Sequence, residues 1–471
     1  MDNFEKATDL FLAWFKAEGG EFREDLLEIQ DLRSHDAGRG IIAIEEIPQN
    51  TTLFTIPREI IINVRTSTLS QKLPHVFNPA NSSSDEDGDD DVDEPLDSWT
   101  SLILVLMYEY LRGPASKWKP YIDILPLTFS TPIFWSGDEL KELDGTCLTA
   151  EKIGKREADE MLKRRVLPVV MQNESVFYEE QGGDRLGESE LLALAHRMGS
   201  AVMAYAFDLE EGQEEEEEEE EGWVEDREGR TMLGMVPMAD LLNADAEFNA
   251  HVNHGDKLEV TSLRDNLPIG SEVLNYYGPL PCSELLRRYG YVTPGHHRYD
   301  VAEMPWRLVR LALGKELDVS DDELVKVQEM LQEKEDLEEY FILERDSGEP
   351  DAQGRLTYEP QLRDTSPELE EQVKLFLKAL KKSHSADKRK RDEVHHDVVA
   401  RALRAKLREY PTTMEEDEAL LLKDDLGKRH RMAVEVRLGE KILLREALGL
   451  VQRGDNDGER VGKKMKMKME V

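Results

Sequence analysis

The chain has 471 residues, with 100 acidic against 60 basic side chains, a net charge of −40 and two cysteines. That length predicts two or three domains at roughly 100 to 200 residues each, and apolar runs such as 102–107 fall far short of the ~20 residues that span a bilayer. Cys147 and Cys282 lie 135 positions apart with no CxxC or CxxH spacing, which excludes a disulfide framework and a spacing-defined zinc cluster.

The opening MDNFEKATDLFLAWF carries acids where a secretory leader carries bases, so an intracellular location is expected, in the nucleus and/or cytoplasm. GIIAIEEI, TLFTIP and EIIINV follow as short β-branched runs between Pro and Gly and read as strands. Residues 85–94 then hold eight carboxylates and residues 210–221 hold ten, 18 of the 40 excess charges. Like charges at that density repel and bury no apolar surface, so acidic disordered loops are expected at 81–95 and 210–226.

Between them, Trp99 opens the helical run SWTSLILVLMYEYL, and Leu191, Ala195, Met198 and Val202 mark a second helix over about 188–209. After the glutamate run the chain reverts to strand-like segments, MLGMVPMADLL, KLEVTSL and GSEVLNYYG. SELLRRYG then reads as a helix capped by Ser283 and ended by Gly290. From about Tyr299 the pattern is helical. Ser320 and Glu323 have capping-box spacing, Ser366-Pro367 is a helix start, and Val434, Leu438 and Ile442 repeat on one face. The last residues, GKKMKMKMEV, read as a basic frayed tail.

No HExxH, GxSxG or GxxxxGK[ST] is present. AGRG at 37–40 precedes a strand rather than a helix, which argues against a dinucleotide-binding turn. His251 and His254 lack further ligands nearby in sequence, and no metal is expected.

Three segments in fixed order carry the functional information: AGRGIIAIEEIPQNTTLFTIP at 37–57, PMADLLNADAEFNAHV at 237–252 and GSEVLNYYGPLPCSELLRRYGYV at 270–292. The spacing of NYYG to ELLRRYGY, with ADLLN about 30 residues upstream, is distinctive. Together the segments resemble the SET-domain protein lysine methyltransferases, in the subgroup of Rubisco large-subunit methyltransferase and the fungal ribosomal lysine methyltransferases. RLGEKILLREAL at 437–448 resembles the end of that subgroup's helical domain.

The resemblance implies an α+β fold: an N-terminal helical segment (1–20), then a SET domain of short β-sheets (21–298) with a helical insertion (about 99–210). An all-α substrate-binding domain (299–452) and a disordered basic tail (453–471) would follow. It implies S-adenosylmethionine as cofactor. Arg39, Gly40 and Ile41 match the turn whose backbone meets the methionine end and ribose. Asn243 matches the asparagine of the family's Asn-His pair, and Ala244 stands where many members have His, leaving backbone contacts to the adenine. Tyr277 matches the active-site tyrosine, Tyr289 a tyrosine packed on the cofactor, Tyr205 a further cofactor contact and Trp99 a substrate-channel aromatic.

The implied activity is transfer of a methyl group to a lysine of a basic protein, a large-subunit ribosomal protein first among candidates, with Tyr276 beside Tyr277 narrowing the channel toward monomethylation. The enzyme is expected to be a monomer with no membrane or direct nucleic-acid partner. Protein-histidine methylation on the same fold is an alternative. An inactive SET-like module that chaperones basic proteins is another, kept open by Ala244.

Overall fold

The computed structural model describes residues 3–35, 37–77, 96–178, 185–209, 232–380 and 391–469. Both acidic runs, and most of KKSHSADKRKRDEV at 381–394, a basic cluster of the kind compatible with nuclear import, lie outside the described residues. The chain divides into two units that do not follow chain order. The first holds residues 1–129, 154–278 and 350–356, and the second holds 130–153, 279–349 and 357–471.

In the first unit, α1 (Asn3–Ala17) buries Phe11 and Phe15. Short strands follow: β1 (Glu21–Phe22), β2 (Leu27–Asp31), β3 (Arg39–Ala43), β4 (Ile47–Pro48) and β5 (Thr52–Pro57). The helix α2 (Ser98–Leu111) is capped by Asp97, whose side chain accepts from Thr100 N, and most of its residues are buried. Apolar residues on every face, rather than a stripe, make it an interior helix. α3 (Glu188–Tyr205) buries Leu191, Ala195, Met198 and Val202 as the spacing predicts.

Strands β6 (Ala206–Leu209) and β7 (Met232–Met235) pair antiparallel, as do β2 with β3. β8 (Ala250–Asn253) and β9 (Lys257–Ser262) complete an antiparallel sheet of order β1-β5-β9-β8, and β10 (Asn266–Leu267) pairs with β4.

Two segments expected as strands are not. EIIINV forms a turn with one bridge, Ile62 to Met235, because Asn63 folds back on itself: its Oδ1 accepts from Arg65 N and Thr66 N. GSEVLNYYG runs as an irregular segment with isolated bridges, Ile42 to Glu272 and Ala244 to Asn275. It has two different neighbours and forms a ladder with neither.

The second unit is predominantly helical and contains one antiparallel pair that periodicity did not suggest, β11 (Val301–Pro305) with β12 (Tyr340–Glu344). Its helices of eight residues or more are α4 (Cys282–Tyr289), α5 (Trp306–Leu317), α6 (Asp321–Gln332), α7 (Pro367–Leu380), α8 (Arg391–Lys406), α9 (Met414–Leu421) and α10 (Lys428–Met469). A core including Trp306, Leu324, Phe341, Phe376, Val398 and Leu444 joins α5, α6, α7, α8 and α10 to the β11–β12 pair.

Residues 130–153 and 279–298, expected within the SET domain, belong to this unit. The reason is apolar: Trp135, Leu143 and Leu148 are buried with Cys282, Leu286, Met432, Ala433 and Val436 in one cluster. The helix α10 as bounded at Met469 includes residues 453–469, where the basic tail is expected.

Helix ends follow the expected signals with one exception. Gly290 ends α4 at φ +76°, its N–H donating to Leu285 and Leu286 carbonyls, and a Cβ there would press on Thr131 N at 2.9 Å. Ser320 caps α6 through Glu323 N. Ser283, expected as a cap, is instead buried inside α4; the Cys282 N–H at its start is met by Asp300 Oδ1 at 3.1 Å. Among the described residues, no helix is long and apolar enough to cross a membrane.

Candidate active site

Three backbone segments of the first unit converge because the stretch 270–275 runs between two others. On one side, Val273 N–H donates to Ile41 O and Ala43 N–H to Ser271 O; on the other, Asn275 N–H donates to Asn243 O at 2.9 Å. The AGRG turn is thereby fixed beside the ADLLN and NYYG motifs, with Arg39 and Asn243 204 positions apart in sequence.

Asn243 is the hub. Its Nδ2 donates to Glu272 Oε1 at 2.6 Å and to the Arg39 carbonyl at 3.2 Å. Gly40 leaves room for these side chains: an added Cβ would push on the ends of Leu32 and Glu272, lying 2.7 Å from Glu272 Oε1, and would sit 3.3 Å from Asn243 Nδ2. Ile41 is fully buried and its carbonyl is already used by Val273, so it anchors the turn from within the sheet.

The Arg39 guanidinium is committed to structure. It donates to Thr8 Oγ1, Phe4 O and Ile124 O, and sits 3.8 Å from the Phe4 ring centroid. Burial lowers its pKa to about 10, and Arg33 adds to that. Only the backbone of this residue is left to face a ligand.

Tyr277 donates its hydroxyl to the Leu242 carbonyl at 3.1 Å. Ala244 is buried, its segment bridged in parallel to Asn275, so the main chain at this position is held without a histidine. Tyr276 stacks on Phe248, with ring centroids 4.6 Å apart.

Asp240, on the one-turn helix Ala239–Leu241, is a further member of the site that the motif resemblance does not single out. Its Oδ2 accepts from the Tyr121 hydroxyl at 2.7 Å, while buried Oδ1 meets no donor at hydrogen-bond geometry among the described residues. Burial pushes its carboxyl up to about 7. Tyr205 ends α3 beside it, its hydroxyl pKa raised by burial and by Asp240, with Phe129 at a centroid distance of 6.4 Å. Asp240 lies within ADLLN and Glu272 within GSEVLNYYG, so the motifs mark both positions; Tyr121 carries no local signal.

Trp99 stands on the first turn of α2, 40% exposed. No hydrogen bond or ring contact links it to Arg39, Asn243 or Tyr277 among the described residues. Tyr289 lies in the second unit on α4, near Tyr291 at a centroid distance of 6.1 Å, its hydroxyl pushed up to about 12 by burial.

One set of potential metal ligands, unsuspected from spacing, converges in the second unit: Cys282, His297 and Asp300. His297 Nδ1 is 2.7 Å from Asp300 Oδ2 and 3.4 Å from Cys282 Sγ. These contacts, with Asp300 capping α4, account for the cluster as hydrogen bonding.

Residues 321–444 match the family model of the Rubisco LSMT substrate-binding domain. The chain is 31% identical over 351 residues to ribosomal lysine N-methyltransferase 4 of Saccharomyces cerevisiae, covering 72% of this chain and 66% of that protein. It is 25% identical over 451 residues to N-lysine methyltransferase SETD6 of Homo sapiens, covering 88% and 84%. Among solved structures, the SET domain of LSMT bound to lysine and AdoHcy superposes with a TM-score of 0.60 at 19% identity, covering 97% of this chain and 93% of that one.

Proposed function

From the chain's membership of the SET-domain protein lysine methyltransferase family, in the subgroup of Rubisco LSMT and the ribosomal lysine methyltransferases, we propose that it methylates lysine in a protein substrate using S-adenosylmethionine. The observation that carries this reading is the crossing of 270–275 between β3 and Asn243–Asp245, which fixes Tyr277 on Leu242 O.

The residues fit the cofactor. S-adenosylmethionine is a net cation, and Asp240 and Glu272 are carboxyl groups beside the turn, while the Arg39 guanidinium is spent on Thr8, Phe4 and Ile124. The cofactor supplies an electrophilic methyl on a sulfonium. The backbone of Arg39 and Gly40 and the main chain of Asn243 and Ala244 are the groups that would hold it.

Methyl transfer to an amine is a displacement that needs an aligned, unprotonated nucleophile. Removing the proton from a lysine of pKa ~10.4 at pH 7 costs about 4.6 kcal/mol. Desolvation lowers a lysine pKa by up to ~3 to 5 units, so a strong general base is not required. Tyr277 suits the remaining task. Its proton is held by a carbonyl, which can only accept, so the hydroxyl oxygen offers lone pairs that can orient an amine N–H.

A ribosomal protein is the proposed substrate class, supported by the name of the yeast relative; the large subunit as its source, and monomethylation with Tyr276 beside Tyr277 limiting the product, complete the proposal. We place the enzyme in the nucleus and/or cytoplasm, on the basic cluster at 381–394, acting as a monomer. Incubation with labelled S-adenosylmethionine and ribosomes from cells lacking endogenous activity tests the reading. One labelled protein band is expected; no label, together with no heat on titrating S-adenosylhomocysteine, would leave the inactive-module alternative standing.

A further inference from the structure

We infer that the open edge of β12 is a docking slot for an extended, lysine- and arginine-rich segment of the protein substrate; calling the partner a substrate rests on the function proposed above.

The register of the second unit's sheet decides which backbone groups are free. Trp306 N–H donates to Glu339 O at 2.8 Å, extending the β11–β12 register by one step. Hydrogen-bonded pairs alternate in an antiparallel ladder, so Phe341 and Leu343 bond to β11. The N–H and C=O groups of Tyr340, Ile342 and Glu344 therefore point to the other edge. No described residue pairs with them there.

The same edge accepts a strand two residues further on. Asp346 and Gln361 exchange both backbone hydrogen bonds, at 2.9 and 3.1 Å. Beyond Gln361 the chain diverges from β12, and a cleft of about 390 Å³ opens between Tyr340–Glu344 and the stretch leading into α7. The edge geometry thus already pairs with an extended chain, and the pairing stops where the cleft begins.

The lining selects the occupant. Glu338 and Glu344 stand on one wall, Asp364 and Glu368 on the other, and no lysine or arginine lines the cleft. None of these four carboxylates has a cationic partner among the described ion pairs. Between them Tyr340 and Ile342 are 56% and 45% exposed. A bare strand edge is an aggregation hazard that proteins usually blunt with lysine or proline. Here it carries carboxylates and two apolar side chains, which suits strand addition by a basic segment: main-chain bonds supply affinity and the acids supply selectivity.

The test uses the full chain and a fluorescein-labelled ~12-residue peptide alternating lysine and valine, read by anisotropy at low ionic strength. Three comparisons are made: the same peptide N-methylated at alternate backbone positions, a glutamate–valine peptide, and the variant carrying Glu338→Lys and Glu344→Lys. Binding at least tenfold weaker in all three is expected, with the variant's melting temperature and S-adenosylhomocysteine affinity unchanged. Equal binding of the N-methylated peptide would overturn strand addition, and equal binding by the variant would overturn this location. No binding of the parent peptide would overturn the proposal outright, and self-association abolished by the variant would give the edge to a second copy. Because no methyl transfer is measured, these failures leave the proposed activity to its own test.

Discussion

Tyr277 donates its hydroxyl to the carbonyl of Leu242, a residue 35 positions earlier, at 3.1 Å. Replacing Tyr277 by Phe removes one hydrogen bond, worth about 0.5 to 1.5 kcal/mol net, and leaves the ring in place. The variant should fold and bind S-adenosylhomocysteine within about threefold of wild type. Single-turnover methyl transfer should fall roughly 100-fold or more. A loss below about threefold would reduce Tyr277 to a packing residue.

Asn243 holds Glu272 and the Arg39 carbonyl together. Asn243→Ala removes the hydrogen bonds to Glu272 and to the Arg39 carbonyl, each worth about 0.5 to 1.5 kcal/mol net, and should weaken S-adenosylhomocysteine binding by calorimetry. Gly40→Ala should act on the same contact, because its Cβ displaces Glu272. Groups that share a contact do not add, so the double variant should be little worse than the poorer single one. Simple addition of the two losses would show that they act separately.

Asp240 gives a pH signature. Its folded pKa of about 7 lies above the model-peptide value of 3.8. Below that lower value both states are protonated; between the two, the unfolded chain releases a proton that the folded chain retains. Asp240 therefore lowers stability progressively as pH rises from about 4 to 7. Glu440, raised to about 7 by burial, contributes with the same sign and is present in both proteins of the comparison. The Asp240→Asn variant keeps the acceptor for Tyr121. Its melting temperature should gain on wild type as pH rises from 5 to 8; parallel curves would mean Asp240 is ionised throughout.

In the second unit, Asp417 is fully buried between Arg437 Nε at 2.8 Å and Lys441 Nζ at 2.5 Å. Removing one partner of a buried ion pair leaves uncompensated charge and costs about 3 to 5 kcal/mol. Asp417→Ala should destabilise strongly in denaturant, and adding Lys441→Met should recover part of the loss. No recovery would show that the cost arises from the cavity.

These residues also mark what local sequence can convey. Gly290 and Ser320 were legible because a helix end is a local event: its unpaired groups are met within a turn. The start of α4 was misread at Ser283 because the partner of Cys282 N–H is Asp300, 18 residues away. The Val434, Leu438, Ile442 face was displaced in the same way. Ile442 is 38% exposed, whereas Glu440 and Lys441 are buried because Tyr410, Cys147, Thr412 and Asp417 satisfy them.

The site divides along the same line. Arg39, Gly40, Asn243 and Tyr277 could be placed because three motifs carry them. Tyr121 bonds to Asp240 across 119 positions and Glu272 to Asn243 across 29, and no periodicity encodes such pairs. The segment 270–278 read as a strand because its composition is strand-like; its irregularity comes from serving two neighbours.

The most direct test is tandem mass spectrometry of ribosomal proteins incubated with S-adenosylmethionine and either wild-type protein or Tyr277→Phe. The account predicts one methyl mass increment, localised to a lysine side chain, with wild type and a strongly reduced yield with the variant. A methyl group on histidine, or equal yield from the two proteins, would contradict it.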